Sequence, residues 1–201
     1  MRDDTADIRS KKAALRKEMI KKRSMLSADE RAAMSDAICR SFLATKIYED
    51  ASVILLYKAY NNEVDTDMIL GRAISDKKTV AYPVSSVSAD GEPVMRFYAV
   101  NDQADLCRGY KGILEPDLTK QSAEFTGRAD ICIAPGVVFD GKCHRIGYGK
   151  GFYDMYISRE CPHKVIGLAY GIQIADDFET EDADRAVDMV ITESGIYLNE
   201  Q

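Results

Sequence analysis

The sequence predicts a single three-layer α/β/α domain built on a mostly parallel sheet. Three observations point there. Continuous apolar runs at 51–57, 130–135 and 164–170 lack the polar alternation of half-exposed strands and suit strands covered on both faces. Helically spaced segments lie between such runs, and a strand–helix–strand order implies a crossover and parallel neighbours. Finally, 201 residues with 46% hydrophobic and 30% charged side chains describe one soluble domain with enough chain for a substantial core.

In chain order, residues 8–26 read as a helix with a thin apolar stripe of Ile8, Leu15, Met19 and Leu26 among many bases. Ser27-Ala-Asp-Glu30 is a capping box that opens a second helix carrying Met34, Ile38 and Phe42. These two helices, within residues 1–44, are expected to pack on an α/β core spanning 51–195. The run at 51–57 is the first central strand, followed by a loop at 61–64 and a helix capped by Asp65 or Thr66. A second strand is expected over 78–84, its far end limited by Pro83. Residues 94–100 alternate as a half-exposed strand, and 106–117 read as irregular with a short extended piece. Buried strands follow at 130–135, 164–170 and 187–192, with a helix from Gly151 to about Arg159.

Before that helix lies Arg145-Ile-Gly-Tyr-Gly-Lys-Gly-Phe-Tyr-Asp154. Glycines at alternate positions (Gly147, Gly149, Gly151) leave backbone without Cβ where a large group can approach, and Arg145, Lys150 and Asp154 add charge. A Walker A loop would need Gly where His144 stands and Ser or Thr where Gly151 stands; a dinucleotide fingerprint needs a different rhythm on a first strand–helix turn. Both are excluded. The shared physics remains, since free N–H groups at a glycine turn entering a helix attract anions. A tight surface loop without a ligand would use the same glycines, but the flanking charges favour phosphate.

The formal net charge of −6 conceals an asymmetry: residues 9–23 hold eight Lys/Arg against Glu18, whereas 176–188 hold seven acids against Arg185. A nucleic-acid arm using Lys21, Lys22 and Arg23 is one meaning of the basic helix, disfavoured by the acidic whole. Five cysteines without a C-x-x-C pair indicate neither a disulfide framework nor a zinc site, and Cys143 beside His144 is a poor nucleophile–base pair. No segment resembles a signal peptide or an 18-residue apolar span, so the expectation is a cytoplasmic protein without membrane or nucleic-acid partners.

Lys12-x-x-x-Arg16, Glu63-Val-Asp-Thr66, Gly112-Ile-Leu-Glu-Pro116, Pro135-Gly-Val-Val-Phe-Asp140, the 145–154 loop and Val187-Asp188-x-x-Ile-Thr-Glu193, in this order, resemble the 5-formyltetrahydrofolate cyclo-ligase family. The resemblance implies closure of 5-formyltetrahydrofolate to 5,10-methenyltetrahydrofolate with Mg-ATP, through a phosphorylated formyl intermediate, by a monomer whose fold resembles the sugar-phosphate isomerase and CoA-transferase superfamily. It also implies roles. Lys12, Arg16, Arg145, Gly147, Tyr148, Gly149, Lys150, Gly151, Phe152 and Tyr153 would bind ATP, with Arg145 and Lys150 catalytic. Glu63 and Tyr153 would meet the folate, and Asp154 and Asp188 would hold Mg²⁺. Two departures stand out: Ala183 occupies a position that is usually His, and Phe152 one that is often Tyr. The alternative is a catalytically silent folate- or nucleotide-binding protein that stores or regulates.

Overall fold

Residues 2–109, 112–120, 122–181 and 184–200 are described by a computed structural model, with side chains from residue 6 onward. The first helix, α1 (Arg2–Ser24), gives way to α2 (Ala28–Leu43) at the expected capping box. There the Glu30 N–H donates to Ser27 Oγ at 3.2 Å, and the Ser27 N–H donates to the Glu30 carboxylate at 2.8 Å. A short α3 (Lys46–Asp50), capped by Thr45, was not foreseen. Then come β1 (Val53–Leu55), α4 (Asp67–Ser75), β2 (Thr79–Val87) and β3 (Pro93–Ala99). A separate ribbon pairs β4 (Leu106–Arg108) with β5 (Leu114–Pro116).

The second half contributes β6 (Ile131–Ala134), β7 (Val138–Asp140), β8 (Arg145–Ile146), α5 (Phe152–Glu160), β9 (Lys164–Leu168), β10 (Ile174–Ala175), β11 (Met189–Thr192) and β12 (Gly195–Leu198). Seven strands form the main sheet in the order β12-β11-β9-β6-β1-β2-β3. The five inner strands run parallel, and β3 and β12 close the two edges antiparallel. A small sheet, β10-β7-β8, escaped the sequence reading because its strands are too short to show a period.

The continuous apolar runs behave as expected of a doubly covered sheet. Ile54, Ile131, Ile133, Ile166 and Ile191 face the side packed by Ile38 and Phe42 of α2 and Ile69 and Ala73 of α4. Their neighbours Leu55 and Cys132 face Tyr156 of α5, and Val165 and Val190 face Ile157 of the same helix. The period of two thus feeds both layers. Helix α1 lies apart, packing Leu15, Met19 and Ile20 on Val137, Val138 and Ile146 of the small sheet.

Pro83 does not end the second strand. β2 continues to Val87, with Pro83 opposite Phe97. The reason is direction: the Ala81 carbonyl faces β1, accepting from the Leu56 N–H at 2.9 Å, whereas the Val80 carbonyl accepts from Val100 N–H on the β3 side. Two residues on from Ala81, the nitrogen of Pro83 faces the β1 side, where β1 has already ended, so no ladder bond is lost.

The arrangement creates a switch point. From β1 the chain steps outward through α4 to β2, whereas its other neighbour, β6, leads toward β9 and β11. Connections leaving the C-terminal ends of β1 and β6 therefore diverge and open a crevice between them. Among the described residues, no helix is long and apolar enough to cross a membrane.

Ile133 lies fully buried in the middle strand of the sheet. Ile133→Ala should lower unfolding free energy by about 3 kcal/mol, read as a shift of the urea midpoint at constant slope; a loss below about 1 kcal/mol would contradict a packed two-sided sheet at this position.

Candidate active site

The crevice holds a cavity of about 760 Å³. Its walls come from α1, the loops after β1 and β6, the β4–β5 ribbon, the glycine loop with the start of α5, and the acidic segment before β11. Lys12, Arg16, Glu63, Arg145, Gly147, Tyr148, Gly149, Lys150, Gly151, Phe152, Tyr153 and Asp154 all line it. Asp188 does not.

The glycine loop owes its shape to two left-handed residues, Gly149 at φ +81° and Gly151 at φ +70°. A Cβ on Gly149 would meet the Arg16 guanidinium at ordinary contact distance, 3.4 Å from Nη2, so the positive φ is what reserves this position for glycine. Arg16 in turn donates from Nε to the Gly147 carbonyl at 2.7 Å, so the first helix fixes the loop. Gly151 is the N-cap of α5 and offers no side-chain cap, which leaves the first-turn N–H groups uncapped where Gly151 to Asp154 line the cavity. Lys150, exposed on the loop, makes no ion pair or side-chain hydrogen bond among the described residues.

Arg145 is differently employed. Its side chain is 3% exposed; Nη2 pairs with Asp154 Oδ1 at 2.6 Å and Nη1 donates to the Pro135 carbonyl at 3.1 Å. Nε is buried without a partner. The guanidinium therefore fastens the end of β6 to the first turn of α5 and presents Asp154 with one oxygen, Oδ2, still available.

Lys12 is nearly buried and is gripped by Glu181, at 3.1 Å, and by Asp184 in a short contact. These acids are the cavity-facing members of the acidic stretch, and neither was singled out from the sequence. Asp188 requires a correction. It precedes β11, accepts from the Val165 N–H at 2.7 Å and pairs with Lys164 at 2.9 Å, at the end of the sheet where β9 and β11 begin. At about 3.3 Å per residue, the five residues of β9 put that end roughly 16 Å from the crevice. It cannot share a metal with Asp154. Ala183, the departure from the usual His, lies outside the described residues.

Glu63 sits at the other end of the cavity and is 7% exposed. Oε2 accepts from the Tyr60 N–H at 2.9 Å, while Oε1 is buried with no partner. Burial pushes its pKa up to about 7, against the opposing pull of the Tyr60 N–H, the Arg23 charge and the Tyr148 hydroxyl. The Tyr153 hydroxyl is also buried and unpartnered, and burial raises its pKa. It stands beside Arg145, whose guanidinium carbon is 5.9 Å from its ring centre. Tyr60 and Tyr148 meet edge to face at 6.0 Å, and Ile113 and Leu114 from the ribbon add apolar wall. Arg23, read from the sequence as a possible nucleic-acid contact, is 1% exposed and turned inward. It cannot serve an external polyanion.

The cavity thus has a cationic end with helix amides and a flat, aromatic end with an unsatisfied carboxylate. Orphaned polar atoms in a cavity mark what a ligand must supply: hydrogen-bond donors at Glu63 Oε1, and an acceptor or donor at Tyr153. Among the described residues no cluster of three or more His, Cys, Asp or Glu forms a metal site. Divalent magnesium needs no such cluster, since one or two carboxylates suffice when phosphates and waters supply the remaining oxygens. The hard oxygens of Asp154 and Asp184 fit that demand.

A family model described as the 5-formyltetrahydrofolate cyclo-ligase family matches residues 8–193. The mouse 5-formyltetrahydrofolate cyclo-ligase is 27% identical over 193 residues, covering 92% of this chain and 95% of its own. A probable 5-formyltetrahydrofolate cyclo-ligase of Caenorhabditis elegans is 29% identical over 197 residues, covering 92% and 94%. Among solved structures, the 5,10-methenyltetrahydrofolate synthetase of Aquifex aeolicus superposes with a TM-score of 0.80 at 27% identity, covering 94% of this chain and 93% of that one. That of Mycoplasma pneumoniae gives 0.68 at 27%, covering 90% and 98%. With a family model spanning nearly its whole length, and a cavity polarised between a cationic and an aromatic end, the chain belongs to the 5-formyltetrahydrofolate cyclo-ligase family.

Proposed function

We propose that this chain uses ATP to close 5-formyltetrahydrofolate to 5,10-methenyltetrahydrofolate, and that the cavity binds both substrates side by side. The observation that carries this reading is the cavity's polarity: Lys150, Arg16 and the α5 amides at one end, Glu63 with its unpartnered Oε1 at the other. The pterin ring supplies N–H donors that suit a buried carboxylate, and the Tyr60 and Tyr148 rings give it an apolar wall.

The chemistry asks for positioning and charge neutralisation rather than a protein nucleophile. The N5-formyl oxygen attacks the γ-phosphorus and the bond to the ADP oxygen breaks, leaving a formyl carbon joined to a phosphate leaving group. N10 of the same folate attacks that carbon, the carbon–oxygen bond breaks, phosphate departs, and N10 gives up its proton to solvent or phosphate. Lys150, free of any ion pair among the described residues, and the first-turn amides of α5 neutralise charge developing on the transferred group. Arg145 orients Asp154, and Arg16 keeps the glycine loop in its binding shape. Mg²⁺ bound with the nucleotide supplies further neutralisation of the phosphate oxygens; Asp154 and Asp184 would hold it, in place of the pair with Asp188 expected from the sequence. Lys12 reaches phosphate by exchanging Glu181 and Asp184 for it.

Purified protein with Mg-ATP and 5-formyltetrahydrofolate should develop the near-ultraviolet absorbance of the methenyl product, and lose that ability without ATP or with EDTA. A flat trace with folate still bound would sink the reading. Lys150→Ala should lower kcat/KM by about 10²-fold with an unchanged melting temperature, whereas Asp188→Asn should stay within about twofold of the parent, since Asp188 lies outside the cavity.

Glu63 allows a test with a defined sign. Its folded pKa, about 7, exceeds the ordinary 4.5, so the folded chain holds this proton more tightly than the unfolded chain and stability falls as pH rises through that window. Relative to the parent, Glu63→Gln should therefore gain stability between about pH 5 and about pH 8, by at most about 3 kcal/mol. Its folate affinity should drop more than its ATP affinity. The parent's folate affinity should weaken as pH falls below about 7, and a variant with parental pH dependence would remove Glu63 from the folate site.

A further inference from the structure

Arg23 is a buried cation that the reaction described above does not employ. It lies in the last turn of α1 and is 1% exposed, yet its hydrogen-bond partners are neutral. Nη2 donates to the Tyr148 hydroxyl at 2.6 Å, Nη1 reaches the Gly136 carbonyl at 3.5 Å, and Nε is buried without a partner. Burying a guanidinium without a carboxylate beside it is costly, so some arrangement must repay it. Glu63 is close enough to feel the Arg23 charge, which pulls its pKa down against the effect of burial.

The same few atoms join three walls of the cavity. Gly136 belongs to the turn after β6, and its carbonyl is also held by Gln173 Nε2 at 3.0 Å, so that end is fixed. Tyr148 belongs to the glycine loop. Glu63 belongs to the loop after β1, where the Tyr60 N–H holds Oε2 and the Tyr60 ring rests against Tyr148. Tyr148 is thus clasped between a buried arginine and the folate-side loop, while its neighbours Gly147 and Gly149 belong to the phosphate side. Any ligand that settles the glycine loop also settles Tyr148, and through it the electrostatic surroundings of Glu63.

We propose that Arg23 is a positioning residue that, through Tyr148, couples the phosphate-receiving glycine loop to the Glu63 loop, so that nucleotide and folate bind with mutual enhancement. The proposal rests on the substrate assignment made above. Linkage makes the coupling reciprocal: the factor by which nucleotide tightens folate equals the factor by which folate tightens nucleotide. A purely structural arginine would lower stability on removal and leave that factor alone.

The experiment is a set of calorimetric titrations of 5-formyltetrahydrofolate into the full chain, with and without a non-hydrolysable ATP analogue and Mg²⁺, repeated in the reverse order. The parent should bind folate about five-fold or more tightly when the analogue is present. Arg23→Met and Tyr148→Phe should each bring that ratio to within about twofold of one, whatever either does to the affinity for one ligand alone. Tyr148 is 36% exposed and loses only a hydroxyl, so Tyr148→Phe decides the matter should Arg23→Met fail to fold. A parent ratio of one, or a Tyr148→Phe protein that keeps the parent's ratio, overturns the coupling while leaving the substrate assignment intact. A parent that binds neither ligand overturns both.

Discussion

The cavity depends on how one buried charge is kept. Arg145 is almost closed to solvent, and burying its guanidinium is costly unless a carboxylate and backbone acceptors surround it. Asp154 and the Pro135 carbonyl provide them, and in doing so they lock the exit of β6 to the start of α5. With those two points fixed, the eight residues between Arg145 and Asp154 form a short closed loop whose path through Gly149 and Gly151 is tightly restricted. The glycine-loop side of the cavity is therefore a consequence of ion pairing in the interior more than of loop sequence alone.

The cations around the cavity are not equivalent. Arg16 is spent on the loop backbone, Arg145 on Asp154, and Lys12 on Glu181 and Asp184, which leaves Lys150 uncommitted among the described residues. A chain of net charge −6 still presents a cationic wall here, because what matters at contact distance is the local field of a few groups backed by helix amides. Lys12 is the informative case. Its partners are acids from a segment distant in sequence, so any anion drawn to Lys12 would compete with protein carboxylates that are already in place.

Much of this was legible in the sequence, for identifiable reasons. The capping box at Ser27 is a local signal, and the apolar runs of the inner strands reflect burial on both faces; each was read correctly because its cause is close in sequence. The small β10-β7-β8 sheet and β12 were missed since two- to four-residue strands carry no usable period. Asp188 was placed in the wrong site although strand direction was enough to exclude it, as a residue preceding a parallel strand lies at the end away from the crevice. Arg23 was indistinguishable from Lys21 and Lys22 beside it, because helix phase is ambiguous where the apolar stripe is thin. Glu63 was found by motif, but the reason it matters, a carboxylate with one oxygen left unsatisfied in the interior, exists only in three dimensions.

The place of the crevice in the sheet also bears on how the chain acquires its form. The edge hairpins β2–β3 and β11–β12 join neighbouring segments, whereas the seam between β1 and β6 brings together Val53 and Asp130, 77 residues apart. Closing so long an intervening loop carries the larger entropic cost, and pairings of that kind form slowly. Since the ligand cavity opens along this seam, the expectation is that a newly made chain reaches nearly native secondary structure before it can hold a ligand, and that competence to bind marks the end of folding.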